Sequence, residues 1–239
     1  METVRKQRRK KVDIEQSITN AAVQIIEKKG FSGLLVTELA RIAEITPQVF
    51  YNRYTDLDEF IGLFVKKFDY WYGDIVTSNK NIADPKVKYE KLVSSLFDSL
   101  SQNKMMQQLL IWELSAKTDA SRRTALLREF HTMPLSKEYG DLFSKSSVDI
   151  AAVSALIVGG VYYLVLHADL APFSGIDVKS KEGKERVHNA INYLSEIFFS
   201  EIIPDAKIIE VAKKMKKKNI DKETIIECTG LSADIVNQL

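Results

Sequence analysis

Residues 46–54 combine the side-chain types that read base edges in double-stranded DNA. At helical spacing, the outward set would be Thr46, Gln48, Tyr51, Asn52 and Arg53. Glutamine and asparagine can pair with adenine through two hydrogen bonds, arginine can pair with guanine in the same way, and a threonine methyl group can contact thymine. A solvated helix face is the alternative, but we favour DNA contact because of the sequence on either side.

A strongly basic arm precedes this segment. Residues 1–11 carry a net charge of +5, whereas the whole chain carries only +2. The arm predicts contact with a polyanion, along the phosphates or in a minor groove, and a solvated tail is the alternative. No apolar stretch follows it, so it does not resemble a signal peptide. Its basic residues are Arg5, Lys6, Arg8, Arg9, Lys10 and Lys11.

Signals for catalysis or metal binding are missing from the sequence. Cys228 is the single cysteine, and the three histidines are far apart in the chain, so no cluster has metal-ligand spacing. There is also no glycine-rich phosphate loop, nucleophile elbow or paired-carboxylate motif. We therefore expect no metal, no cofactor and no enzymatic activity, in a reducing, cytoplasmic location. An enzyme whose catalytic groups are distant in sequence remains the competing class.

The elements that position residues 46–54 are predicted to be helices. An apolar stripe predicts a helix over 13–29, which Gly30 ends. A short helix from Val36, a break at 44–46 and a second short helix that starts with Thr46 as its cap and Pro47 at its first position form a helix-turn-helix. Val49 and Phe50 face inward in this interpretation. With ten glycines, five prolines and no strand pattern, the whole chain is predicted to be all-α.

The remaining chain predicts a helical body. The predicted helices cover 57–77, 87–101, 105–116, 121–131, 147–168 and 182–203, and 132–146 is predicted to be a loop. The stretch Ile150–Leu166 carries no charge and lies at the short edge of the membrane-spanning range. Its adjacent Gly159 and Gly160 and the polar His167 just beyond favour a buried helix, in the core or between subunits, over a membrane span.

The tail, residues 205–239, is different in character. It predicts a lysine-rich helix, then a short helix capped by Asp221, then Gly230 and Ser232 before another short helix. The segment ETIIECTGLSADIV can be laid over TELARIAEITPQVF, with Leu231-Ser232 on Ile45-Thr46. A second DNA reader, a partner-binding hairpin and a structural cap are all compatible with this pattern. The lysines favour the first, while Asp234 and the chain end at Leu239 lead us to predict a structural or partner role.

The front segment resembles the tetracycline-repressor (TetR) family of regulators over residues 14–64. The residues that carry the resemblance are Ile18, Ala21-Ala22, Gly30-Phe31, Leu39-Ala40, Ile45-Thr46, and Tyr51 with Tyr54. The resemblance implies a DNA-binding segment over 1–56 and a helical effector-binding and dimerisation segment over 57–204. It places Tyr51 against phosphate, and it adds Thr37, Pro47 and Tyr54 to the expected DNA-binding residues.

Three positions depart from the family pattern. Glu44 stands where the family has glycine in the turn, so we expect strain there. Leu35 stands where the family has a capping serine or threonine, and we expect the helix to start later, at Thr37. Leu57 replaces a lysine that contacts phosphate. These departures keep open a ligand-binding or adaptor protein of the same fold with weakened or lost DNA binding.

The resemblance also implies a ligand pocket and a dimer interface. For the pocket we predict adaptable or polar-tipped residues on otherwise apolar helices, although such residues are more often plain core. These are Met105, Met106, Trp112, Glu113, Tyr162, Tyr163 and His167. For pairing of the last two long helices with those of a second subunit, we predict Ile157, Gly160, Leu164, Ala190, Leu194 and Ile197.

Together these features predict a homodimeric, sequence-specific regulator of transcription that binds double-stranded DNA. Family analogy alone makes it a repressor. A small apolar or amphipathic effector is expected to release it from its operator, and no membrane partner is expected.

Deletion of the basic arm is expected to weaken binding to all DNA sequences alike and to lower its salt dependence, because each phosphate contact releases counterions. Changing Gln48 or Asn52 should instead alter the preferred sequence, by roughly 1–3 kcal/mol per base pair. Filter binding across a salt series measures both effects. If deletion of the arm left the slope of log K against log salt concentration unchanged, the predicted role of the arm would be contradicted.

Overall fold

The computed structural model describes residues 10–67, 71–202 and 206–239, and in these ranges the chain forms thirteen α-helices and no extended strand. The all-α prediction is confirmed. In chain order the helices are α1 (Lys11–Lys29), α2 (Val36–Ile42), α3 (Pro47–Tyr51), α4 (Leu57–Lys66), α5 (Trp71–Asn79), α6 (Pro85–Gln102), α7 (Lys104–Ala116), α8 (Asp119–Leu142), α9 (Ile150–His167), α10 (Lys181–Phe199), α11 (Ala206–Lys217), α12 (Lys222–Thr229) and α13 (Ala233–Gln238).

Helix α1 is the platform for the short helices that follow. Its apolar stripe is buried as predicted, with Ile18, Ala22 and Ile26 at zero exposure. Gly30 ends the helix at φ 69°, ψ −179°, a conformation that glycine alone adopts readily. A 3-10 turn, Phe31–Gly33, then leads into α2 and buries Phe31 beside α1. Helices as short as α2 and α3 depend on this packing, because neither would be stable alone.

The turn between α2 and α3 has the geometry of a helix-turn-helix. Glu44 adopts φ 53°, the left-handed conformation for which the family uses glycine, as the sequence led us to expect. The later start predicted for α2 is wrong. The helix begins at Val36, with extended Leu35 at its N-cap and no side-chain cap, because burial of Leu39 and Ala40 fixes it in place without one.

The start of α3 differs from the prediction in one detail. Pro47 occupies the first helical position as expected, where its missing N–H has no cost. Thr46 is the N-cap residue, but its side chain makes no capping hydrogen bond. Its hydroxyl group therefore stays at the exposed surface.

Two predicted boundaries in the body are wrong. The helix predicted over 57–77 is two helices, since α4 ends at Lys66 and α5 begins at Trp71; Phe68 lies outside the described residues. The loop predicted over 132–146 is mostly helix, because α8 continues through Pro134 to Leu142. Packing outweighs the missing proline N–H there, since Tyr139 and Phe143 are buried and the Tyr139 hydroxyl group donates to the Pro85 carbonyl at 3.1 Å.

Helix α6 forms the centre of the body. Leu96, Phe97 and Leu100 are almost fully buried, and α5, α7, α9 and α10 all pack on α6. The same apolar core continues without a break into α1–α4. At the junction, Phe31 stacks on Trp112 of α7 with ring centroids 5.0 Å apart. The segment that carries α3 and the body are therefore packed as one unit.

The tail forms a core of its own. Ala212 of α11 packs with Ile225, Leu231 and Val236, and none of these residues belongs to the main core. Asp221 caps α12 by accepting from the Thr224 backbone N–H, as the sequence predicts. Ser232 caps α13, and Gly230 adopts the left-handed conformation between the two helices.

Replacing Phe50 with Ala is expected to cost about 3–5 kcal/mol of stability, because it leaves a cavity at a fully buried position against Tyr54 and Phe60. The matched control is Tyr51→Ala at the neighbouring, half-exposed ring, which should change stability by about 0.5 kcal/mol or less. Urea unfolding followed by circular dichroism measures both. Equal effects of the two substitutions would contradict the packing described for α3.

Candidate DNA-binding surface and ligand cavity

Helix α3 presents a polar face because its apolar face is anchored. Phe50 has zero exposure, and its ring lies 5.0 Å from Tyr54 and 5.6 Å from Phe60. The opposite face is exposed at Thr46, Pro47, Gln48, Tyr51 and Asn52. The outward orientation predicted for Thr46, Gln48, Tyr51 and Asn52 is therefore present in the structure, whereas that predicted for Arg53 is wrong.

The two amide side chains on this face are already ordered. Gln48 Nε2 donates a hydrogen bond to Asn52 Oδ1 at 3.0 Å, one helical turn away. Each amide carries both a donor and an acceptor, so the pair presents the groups that match an adenine edge. The contact holds the two amides side by side before any ligand binds.

Arg53 and Tyr54 are placed differently from the exposed group. Arg53 is half-buried, and its Nη1 donates to the Val49 carbonyl at 2.8 Å, because the residue follows the end of α3 and curls back onto its carbonyl groups. Tyr54 is half-buried among Phe50 and Phe60, and this burial raises the pKa of its hydroxyl group. Both residues support α3 more than they extend its exposed face.

The remaining predicted DNA contacts lie outside α3. Thr37 is exposed on α2, while Lys10 and Lys11 are exposed at the start of α1. Arg5, Lys6, Arg8 and Arg9 lie outside the described residues.

On α2, Glu38 pairs with Arg41 at 2.9 Å and with Lys29 at 3.5 Å. These cations lower the pKa of Glu38 to about 2.

A cavity of about 390 Å³ lies in the body between α5, α6, α8 and α9. This volume is within the usual range for small-molecule sites. Apolar side chains such as Leu92, Leu96, Ile150 and Val158 line most of it. The polar lining residues are Tyr72, Tyr89, Arg128, Glu129, Thr132, Ser136, Tyr139, Ser154 and Tyr162.

The cavity tyrosines are neutral hydrogen-bonding groups. Burial raises the pKa of Tyr72 to about 12 and raises that of Tyr89 and Tyr139 as well. The Tyr89 hydroxyl group lies 3.1 Å from the Ser154 hydroxyl group, which links α6 to α9 across the cavity. A ligand with a long apolar part and a few polar atoms matches such walls.

An ion pair with little exposure to water borders the cavity. Arg128 of α8 lines the cavity and donates from Nη1 to Glu113 Oε1 of α7 at 2.7 Å. The two side chains are only 13% and 12% exposed. Within the described residues, the other carboxylate oxygen, Glu113 Oε2, is buried without a hydrogen-bond partner. A polar ligand group that reaches Arg128 would therefore compete with a charged group in a low-dielectric setting.

The predicted pocket residues do not form one site. Tyr162 lines the cavity, and Glu113 reaches it through Arg128. Three others, Met105, Met106 and Trp112, are buried in the core around α7 instead. Tyr163 and His167 stack on each other outside the cavity, 5.2 Å apart.

The prediction from sequence missed the α8 wall. Four of its lining residues, Thr132, Leu135, Ser136 and Tyr139, fall in the segment that was predicted to be a loop. Pro134 and the weak amphipathic pattern of this segment give little helical signal, so only its packing reveals the wall.

Helices α9 and α10 leave an apolar face uncovered. Of the predicted interface residues, Gly160, Ala190, Leu194 and Ile197 are exposed on this face. Ile157 and Leu164 are half-buried against the core instead, because the outer face of α9 lies one residue earlier in register. The most exposed large apolar side chains there are Leu156, at 78%, and Tyr193, at 68%.

No family model and no curated protein matches the sequence, but solved structures match the fold. A TetR family transcription regulator from Marinobacter aquaeolei VT8 is 17% identical, with a TM-score of 0.55 over 76% of this chain and 95% of its own. The fatty acid degradation regulator FadR from Bacillus halodurans is 21% identical, with a TM-score of 0.56 over 77% and 97%.

A third solved structure contains a ligand. The transcriptional regulator FadR from Bacillus subtilis, in complex with stearoyl-CoA, is 15% identical, with a TM-score of 0.57 over 75% of this chain and 96% of its own. The chain therefore has the fold of TetR-family transcription regulators, as the sequence resemblance implied.

Replacing Arg128 with Met is expected to destabilise the protein by about 3–5 kcal/mol, because it leaves the Glu113 carboxylate buried without its countercharge. The double variant Arg128→Met/Glu113→Gln removes both charges and should recover most of this loss. Urea unfolding of the two variants and the parent gives the comparison. A double variant no more stable than Arg128→Met would contradict the coupling of the two side chains.

Proposed function

We propose that the protein is a homodimeric, sequence-specific DNA-binding regulator of transcription, a repressor that a small amphipathic ligand releases from its operator. The observation that carries the proposal is the exposed, amide-bearing face of α3, held outward by buried Phe50 within a helix-turn-helix. Thr46, Gln48 and Asn52 lie where a recognition helix meets base edges, and Tyr51 lies beside them for a phosphate. Solved proteins with this fold include transcription regulators.

A second copy of the chain is the partner we propose for the uncovered face of α9 and α10. Helix α9 is long and apolar enough to cross a membrane by length and composition, yet only 17% of that stretch is buried in one chain. Its other face is fixed in the body, where Val161 and Val165 are buried and Ser154 contacts Tyr89. A helix anchored on one side in this way favours a subunit interface over a membrane span.

The glycines of α9 suit a closely packed interface. A Cβ atom added to Gly159 or Gly160 would have no atom within 4 Å in a single chain, so a helix of a second subunit could approach this point. Glycine inside a helix costs about 1 kcal/mol relative to alanine, and close packing would offset that cost. In a dimer, two copies of α3 could meet successive major grooves about 34 Å apart.

The ligand we propose is an amphipathic molecule with its apolar part among Leu92, Leu96 and Ile150. Its polar end would reach Arg128 or the hydroxyl groups of Thr132, Ser136 and Ser154. Because one solved neighbour was crystallised with stearoyl-CoA, acyl-CoA esters are the first compounds to test here.

The route from cavity to DNA-binding helix is short. Glu113, the partner of Arg128, follows Trp112 in α7, and Trp112 stacks on Phe31 just before α2. Helix α7 also packs on α1. A ligand that binds better when Arg128 is drawn away from Glu113 would shift α7 and with it the spacing of the two α3 helices. It would then lower DNA affinity in proportion to its preference for that state.

Selection from a random-sequence duplex pool, followed by fluorescence anisotropy with competitor, tests DNA recognition. The parent should recover one related set of sequences, and Gln48→Ala and Asn52→Ala should each weaken binding to it by about 5–150-fold while changing the preferred base. Asp141→Ala, a change on the exposed end of α8, is the matched control and should keep the preference. Recovery of no sequence would favour a ligand-binding protein without DNA recognition.

Titration of the selected complex with stearoyl-CoA tests release by an effector. Stearoyl-CoA should dissociate the parent from DNA, and Ala125→Phe, which fills the cavity from α8, should retain DNA binding but resist release. Ala171→Phe, on an exposed loop away from the cavity lining, is the matched control and should respond as the parent does. Equal release of both variants would contradict the cavity as the effector site.

A further inference from the structure

The α2–α3 unit is defined by four positions with fixed spacing. Leu39 is fully buried, Glu44 adopts φ 53°, Thr46 is the N-cap at ψ 154°, and Phe50 is fully buried. The left-handed residue turns the chain, and the two buried residues hold the helices together. This spacing is what presents the outer face of α3.

The tail repeats these positions at the same spacing. Ile225 is 1% exposed, Gly230 adopts φ 68°, Ser232 is the N-cap at ψ 154°, and Val236 is 2% exposed. Leu231, which corresponds to Ile45, is buried as well. Glycine at the left-handed position removes the strain that Glu44 carries in the front unit, so the tail has the better sequence for this turn.

A first helix completes the tail unit, as α1 does at the front. Ala212 of α11 has zero exposure and packs with Ile225, and Ala22 of α1 likewise has zero exposure in the core that includes Leu39. The small side chain lets α12 approach α11 closely. Helices α11, α12 and α13 thus form a three-helix unit with its own core. That separate core favours an independent unit over a structural cap, one of the roles predicted for this segment from its sequence, although Lys145 of the body lies 3.6 Å from Asp234 of the tail.

The exposed face of α13 carries polar residues at the reading positions. Asp234, Asn237 and Gln238 are exposed and correspond to Gln48, Tyr51 and Asn52. Amide side chains match adenine, and an aspartate can accept from the amino group of cytosine. Among the described residues of α12 and α13, no large hydrophobic side chain is exposed, which disfavours an apolar protein partner on this face.

Positive charge lies beside this face. Lys216 Nζ donates to the Val236 carbonyl at 3.2 Å, which holds the lysine-rich end of α11 next to the last turn of α13. Lys213, Lys217 and Lys218 are exposed, and no ion pair involves them within the described part of the chain. Exposed lysines of this kind can neutralise DNA phosphates, which releases counterions and strengthens binding.

We propose that residues 206–239 are a second helix-turn-helix that contacts double-stranded DNA, with α13 at the major groove and Lys213, Lys217 and Lys218 of α11 on phosphates. Each subunit would then carry two DNA-contacting units, and a dimer would carry four. The tail would add phosphate contacts beyond those of α3 and lengthen the DNA segment that one dimer protects.

The test is a salt series of binding by the full chain to a random-sequence duplex, so that it needs no operator. The triple variant Lys213→Gln/Lys217→Gln/Lys218→Gln should lower the slope of log K against log salt by about 0.9 for each phosphate that the tail no longer neutralises. The variant Lys91→Gln/Lys137→Gln/Lys181→Gln changes the net charge equally at exposed positions of the body. It should keep nearly the parent slope.

Two outcomes decide the proposal. A lower slope confined to the tail variant supports DNA contact by the tail. Equal slopes for the two triple variants overturn it and leave a protein partner as the role of the tail. Because the duplex is random, either outcome is independent of whether α3 recognises a specific sequence.

Discussion

The stacking of Phe31 on Trp112 connects the helix-turn-helix to the body that contains the cavity. The ring centroids are 5.0 Å apart, and both rings lie within one continuous apolar core. Gly30 sets the direction of the chain into Phe31, because it adopts a φ of 69° that glycine reaches without strain. An aromatic pair of this kind contributes about 0.5–1.5 kcal/mol beyond its buried area. A movement of α7 would therefore displace Phe31 and, with it, the start of α2.

An ion pair joins the cavity wall to α7. Arg128 belongs to the cavity lining, and its partner Glu113 is the neighbour of Trp112 in α7. A charged pair with little exposure has a large desolvation cost, so the intact pair adds little net stability even though loss of one partner is costly. The ion pair that borders the cavity thus lies one residue from the contact that holds α1–α3.

Each of the two outer helices packs one apolar face into the body and leaves another apolar face exposed. Helix α9 buries Val161 and Val165 in the body and leaves Leu156 and Tyr163 on its outer face. Helix α10 likewise buries Val187 and Ile191 and exposes Tyr193 and Ile197. Large apolar side chains grouped on one exposed face are typical of an interaction site. The association proposed for this face would also set the distance between the two copies of α3.

The sequence by itself determined the all-α class, the α1 stripe, the turn at Glu44, the proline start of α3 and the two caps of the tail. These features depend on neighbours in sequence, through helical periodicity and backbone sterics, and the residues concerned carry their own signal. The outward face of α3 at Gln48, Tyr51 and Asn52 follows from the same periodicity. The family resemblance over 14–64 rests on this local information.

Only the tertiary structure decided the rest. Helix α8 passes through Pro134 because Tyr139 and Phe143 are buried, and its inner face supplies one wall of the cavity. Met105 and Trp112 are buried in the core because neighbouring helices cover them. The register of α9, with Leu156 outward and Ile157 inward, depends on which neighbours pack against it, and a uniformly apolar helix carries no periodic signal that could reveal it.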